Sequence, residues 1–132
     1  MTVLHVGIAP YEDMKAYTLA IAKGDVKPSA DAPKVWFTSI ESLARVLSER
    51  NRALIDLIAA RRPKSLAELE VMSGRAKSNL SRTLKTMARY GLVQLEKSAG
   101  GTLVPKVPYS AIKLNLPLGR KLSAEPLARK PS

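Results

Sequence analysis

The apolar positions of the first third of the chain switch between two periods. VLHVGIA (3–9) is a run of aliphatic and β-branched residues and predicts a short strand. Pro10 then opens YEDMKAYTLAIAKG, where Tyr11, Met14, Tyr17 and Ile21 recur at helical spacing, Glu12 and Asp13 occupy the first turn and Gly24 suits the stop. A loop carrying Pro28 and Pro33 leads to KVWF, a second strand, so residues 1–38 read as a strand, helix, strand extension. Thr38 with Glu41 makes a capping box ahead of Ile40, Leu43 and Leu47. Ser48 can cap a further helix bearing Leu54, Leu57 and Ile58, giving two helices here or one long one.

Beyond Pro63 the pattern sharpens. Ser65 and Glu68 form another capping box and start SLAELEVMS, whose Leu66, Leu69 and Met72 share a face, and Gly74 ends it. The next stretch, GRAKSNLSRTLKTMARYG (74–91), predicts a helix from about Lys77 to Tyr90 with Ala76, Leu80, Leu84 and Met87 in one narrow apolar stripe. Ser78, Ser81, Arg82, Lys85 and Arg89 project from the other side, a face with no apolar and no acidic member. LVQLEKSAGGTLVPKV then reads as a hairpin turning at Ser98–Gly101, and AIKLNLPL (111–118) as an edge strand able to pair with the N-terminal strand or with another chain. From Gly119 onward periodicity is lost, and residues 119–132 read as a basic flexible tail or a phosphate-tracking arm.

A short helix, a Gly-containing turn, a second helix with a basic polar face and a hairpin form the plan of a winged helix-turn-helix, whose second helix enters the major groove. The expected fold class is therefore α+β, mainly α, with that domain at 39–108, the extension before it and a C-terminal strand at 109–118. SLAELEVMSGRAKSNLSRTLKTMARYGLVQLEK resembles the winged helix-turn-helix of MarR- and ArsR-like regulators, above all in Ser78, Leu80, Ser81, Arg82, Leu84 and the exit Tyr90, Gly91, Leu92, Val93. The likeness covers roughly residues 48–106. With HVGIAPYEDMKA and KVWFTSIESLARVLSERN included, the chain is similar to small DNA-binding proteins paired with a TumE-type toxin, which implies a TumA-type antitoxin that represses its own transcription. Ala76 departs from the pattern, since many relatives place Ser before this helix as its N-cap.

Charge agrees with the position of that motif. The 132 residues hold 22 Lys and Arg against 11 Asp and Glu, a net charge of +11, which calls for a polyanion or an acidic membrane surface. Residues 1–38 are neutral overall, whereas nine of the eleven excess charges lie beyond Pro63. No apolar run reaches membrane-spanning length and the N-terminus lacks signal-peptide character, so a cytoplasmic protein is expected. With no cysteine and a single imidazole, His5, thiolate zinc sites, disulfides and cysteine nucleophiles are excluded, and neither metal nor cofactor is expected. No nucleophile, base and orienting group can be assembled, so an enzyme is not expected.

The chemistry then divides by position along the helix. Arg75, Lys77, Ser78, Asn79 and Arg82 lie at its start, where base edges are reachable, and Arg82 best fits bidentate contact with guanine. Lys64, Ser65, Ser81, Lys85, Arg89, Lys97 and Lys106 are the phosphate partners. The bland alternative is the solvated back of a core helix; against it stand the absence of acids for i,i+4 pairs and the flanking turn and hairpin. Tyr11, Tyr17, Trp36 and Phe37 are either core or a dimer or partner interface. The expected function is sequence-specific double-stranded DNA binding by a homodimeric repressor on an inverted repeat. The alternative is an interaction module that neutralises a partner toxin enzyme, with DNA binding secondary.

Overall fold

A computed structural model describes residues 2–118. The tail expected from Gly119 lies outside the described residues. The element order is β1 (Val3–Ile8), α1 (Tyr11–Ala22), β2 (Val35–Phe37), α2 (Ile40–Val46), α3 (Glu49–Arg61), α4 (Leu66–Ser73), α5 (Lys77–Arg89), β3 (Gln94–Lys97), β4 (Leu103–Lys106) and β5 (Ala111–Asn115). The fold is α+β. No helix among the described residues is long and apolar enough to cross a membrane.

The described residues divide into two compact units, one of 44–110 with Thr2, the other of 3–43 with 111–118. This differs from the boundaries the sequence suggests, because the division falls inside α2 and the C-terminal strand joins the N-terminal elements.

The second of these units is a three-stranded parallel sheet of order β2-β1-β5. The βαβ connection through α1 makes β1 and β2 parallel, and β5 adds to the other side of β1 in the register Leu4 to Ile112 and Val6 to Leu114. Gly7 is required in the central strand. The Trp36 ring lies over it, and a Cβ there would collide with that ring and sit 2.9 Å from Pro33 Cγ. Trp36 meets Tyr17 of α1 edge-to-face at 5.9 Å between centroids, beside Ala9 and Val26.

That packing corrects the interface reading of the aromatic residues. Tyr17 and Phe37 are 2% and 1% exposed, and Trp36 is half-buried against the same core, so these rings are used inside the unit. Of the four, Tyr11 alone is exposed. Burial has a cost at Tyr17, whose hydroxyl has no hydrogen-bond partner among the described residues and whose pKa is raised by desolvation.

The other unit packs α3, α4 and α5 with the antiparallel β3–β4 hairpin. Leu54, Ile58, Leu69, Leu80, Leu84, Met87 and Val93 form its buried interior. Two helices, not one, occupy the stretch before Pro63. Ser48 Oγ accepts the Asn51 N–H at 3.2 Å while Asn51 Nδ2 donates to the Val46 carbonyl at 3.1 Å, which closes the corner between α2 and α3. The cap of α2 is Ser39 rather than Thr38, its Oγ accepting the Ser42 N–H at 3.0 Å. At the far end of α3, Arg62 takes the left-handed conformation of a helix C-cap, φ 49°, with its N–H donating to the Ile58 carbonyl, and Pro63 follows where the helix cannot continue.

Candidate nucleic-acid interface

The candidate interface comprises α4, a short turn and α5. Ser65 Oγ accepts the Glu68 N–H at 3.1 Å and Glu68 Oε1 accepts the Lys64 N–H at 3.2 Å, so α4 starts with reciprocal side-chain caps. Gly74, φ 73°, ends it in the left-handed conformation that glycine adopts without a Cβ clash, and its N–H donates to the Glu70 carbonyl. Three residues, 74–76, separate the end of α4 from α5, which begins at Lys77.

Leu80, Leu84 and Met87 are fully buried and fix the inner side of α5. Ala76 is not part of that stripe. It is exposed at the N-cap position and contributes no side-chain cap. The missing cap is supplied from α4, where Glu70 Oε2 accepts the Lys77 N–H at 3.1 Å. This carboxylate meets an orphan donor at the positive end of the helix dipole, so α5 can begin without a Ser at position 76.

On the outer side, Ser78, Arg82, Lys85 and Arg89 are all exposed. At ~100° per residue they fall within about 60° of one another, a single stripe. Ser81 is half-buried at the stripe's margin, and α5 contains no acidic residue. Arg89 Nη2 lies 3.4 Å from Thr86 Oγ1, a long contact that leaves most of the guanidinium available.

Arg75 is the principal correction to the set of reading residues. Its side chain faces inward, 9% exposed, and donates from Nε to Asn79 Oδ1 at 2.8 Å, from Nη1 to Asn51 Oδ1 at 3.2 Å and from Nη2 to Thr83 Oγ1 at 3.1 Å. Burial, and secondarily the nearby Arg50 charge, lower its pKa from the ordinary arginine value. A guanidinium held this way ties α3 to α5 and is not free to meet a base. Asn79 is half-buried and gives its Oδ1 to Arg75, which withdraws the acceptor that a bidentate adenine contact needs. Of the residues at the helix start, Lys77, Ser78 and Arg82 remain exposed.

Sequence reasoning missed Asn51, Thr83 and Glu70. Arg75, Asn79 and Thr83 recur at intervals of four, a polar stripe along the edge of the apolar one, and that spacing was a usable signal. Glu70 caps across a turn at a spacing of seven, for which no local motif exists.

The hairpin and the end of α3 hold the remaining cations. Lys97 is exposed at the end of β3, whereas Lys106 Nζ lies 3.1 Å from Glu96 Oε1 on the neighbouring strand. Both members of that pair are about half exposed, so Lys106 can leave its partner at small cost, but it is not an uncommitted charge. Lys106 also lines, with Arg62 and Lys64, a cleft of about 520 Å³ whose apolar walls include Ile58, Pro63 and Pro105. Residues distant in sequence thus gather three cations around one depression.

Among the described residues no group of three or more His, Asp or Glu side chains converges to hold a metal ion. His5 Nε2 stands 3.8 Å from Asp31 Oδ1, an isolated contact.

These features define a small α+β protein whose helical unit presents one acid-free cationic stripe. The model of the HVO_A0114 family matches residues 46–114, more than half of the chain, and the protein belongs to that family. No curated protein and no solved structure matches the chain.

Proposed function

We propose that this protein is a double-stranded DNA-binding transcriptional regulator of the winged helix-turn-helix type, with α4 and α5 as the helix-turn-helix and the β3–β4 hairpin as the wing. The observation that carries this reading is the α5 surface: Ser78, Arg82, Lys85 and Arg89 stand exposed in one stripe without an acid, on a helix anchored by Leu80, Leu84, Met87 and the Arg75 network. A helix of this width fits the ~12 Å major groove with its N-terminal half toward base edges. Arg82 is the guanine reader, with Lys77 and Ser78 beside it. Lys85, Arg89, Lys97 and Lys64 bind phosphates, and Lys106 joins them by exchanging Glu96 for a phosphate.

Two copies on an inverted repeat would seat their α5 helices one turn apart, ~34–36 Å, and repress by occluding the promoter. The resemblance of the sequence to TumA-type proteins narrows the role to an autoregulating antitoxin. The deciding experiment is a fluorescence-anisotropy titration of the full chain with its own promoter and a scrambled duplex over a salt series. Promoter preference is expected at every salt, with a slope of log affinity on log salt of about −4.5 per bound chain for the five phosphate contacts. Equal binding to both duplexes at all salts refutes the specific-regulator reading.

A further inference from the structure

The outer strand of the parallel sheet is finished on one side only. β5 pairs with β1, and in the order β2-β1-β5 its other edge has no strand among the described residues. Leu4 and Val6 on β1 are 2% and 0% exposed, but their register partners Ile112 and Leu114 are 38% and 50% exposed, and Leu116 is 38% exposed at the next alternate position. A row of unpaired peptide groups flanked by apolar side chains on one face is a template for a further strand.

We propose that the strand completing it is β5 of a second copy, running antiparallel about a two-fold axis through Leu114. The side chains select both the partner and the register. With Leu114 opposite Leu114, Ile112 meets Leu116 twice and Lys113 meets Asn115 twice, so apolar faces apolar and the cation faces a neutral acceptor. Centring one residue earlier sets Lys113 against Lys113 and Leu116 against Ser110. Centring one residue later brings Pro117, which has no N–H, into the ladder opposite Lys113. Of these three registers, the Leu114 one alone avoids like charges and keeps proline at the outer end of the ladder, opposite Ala111. The pairing is isologous, as closed two-fold dimers require. A five-residue edge buries less than the ~1,600 Å² of a standard interface, so the dimer is expected to exchange with monomer in the micromolar range. This inference does not rest on the DNA reading, and either can fail while the other stands.

The chain contains no cysteine, which allows a direct test. Lys113→Cys, Leu114→Cys and Asn115→Cys, each as the sole thiol of the full chain, are oxidised mildly and followed on non-reducing gels. Directly opposed residues sit ~4.5–5.5 Å apart at Cα, within disulfide reach, whereas the neighbouring positions exceed ~7 Å. Leu114→Cys is therefore expected to cross-link at least tenfold faster than the other two. In sedimentation velocity, wild-type protein should show a concentration-dependent dimer, and Asn115→Asp, which adds two cross-strand ion pairs, should tighten its Kd by about two- to thirtyfold. Fastest cross-linking at 113 or 115, a wild-type chain that stays monomeric to hundreds of micromolar, or no tightening by Asn115→Asp overturns the proposal.

Discussion

Replacing Arg75 by Met separates a structural arginine from a reading one. The substitution keeps most of the side-chain length and removes three hydrogen bonds to Asn79, Asn51 and Thr83. At about 1 kcal/mol net per bond the loss is roughly 3 kcal/mol. Removing the charge also removes its desolvation and its repulsion from Arg50, the two causes that lower its pKa, and this offsets part of the loss. A net destabilisation of about 2 kcal/mol is expected, which for a domain of this size lowers Tm by roughly 8–16 °C. Circular dichroism at 222 nm is the appropriate assay, because the network lies among the helices of one unit whereas Trp36, the only tryptophan, reports on the other. Arg75→Lys should lose most of the same stability, since a single ammonium on a flexible stem cannot serve three acceptors as a planar fork does. A variant that melts with wild type while losing promoter affinity would show that Arg75 reads DNA and that its internal bonds are incidental.

Arg82→Ala should cost about 1–3 kcal/mol of promoter affinity and relax base preference, whereas Lys97→Ala should weaken all duplexes alike and flatten the salt slope by about 1. Parallel losses on promoter and scrambled duplex from Arg82→Ala would remove its assignment as a reader. Glu70→Ala should act with opposite signs in two assays: it uncaps Lys77 and lowers stability by about 0.5–1 kcal/mol, yet it takes a carboxylate away from the α5 start and should tighten low-salt duplex binding. A gain in stability or a loss of low-salt binding would contradict that role. Tyr17→Phe should raise stability by about 1 kcal/mol in urea denaturation, because it deletes a buried hydroxyl without a partner and keeps the ring against Trp36; destabilisation would mean that the hydroxyl is satisfied.

Where a local signal has a local cause, the fold was legible. The α5 period predicts a helix from about Lys77 and the helix is Lys77–Arg89, because Leu80, Leu84 and Met87 can be buried together only in that conformation. Ser48 and Ser65 cap the helices that follow them for the same reason: an oxygen acceptor stands three residues before an orphan N–H. Thr38 misled by one residue, since Ser39 offers the same acceptor and both precede the same apolar run. The division of the chain was less legible. The strand AIKLNLPL was legible as an edge strand able to join the N-terminal strand or another chain, and it does pair with β1. Its alternation does not choose between those two partners, and the pairing over a hundred residues of sequence is set by three-dimensional packing.

The candidate site follows the same logic with a different outcome. Exposed cations were legible as charge, but charge does not say whether a guanidinium points outward. Arg75 and Arg82 flank the same helix start, and composition treats them alike. What separates them is the company each keeps: Arg75 has Asn79 and Thr83 at four and eight residues along the margin of the buried stripe and Asn51 across from it, while Arg82 shares its side of the helix with Ser78, Lys85 and Arg89. An arginine aligned with neutral acceptors at the edge of an apolar face can satisfy its donors internally, and one aligned with other cations cannot. Water and counterions can satisfy that exposed face, and it is the clustering of its cations in one stripe without an acid, rather than the net charge of +11, that leads us to propose α5 as the surface for a polyanion.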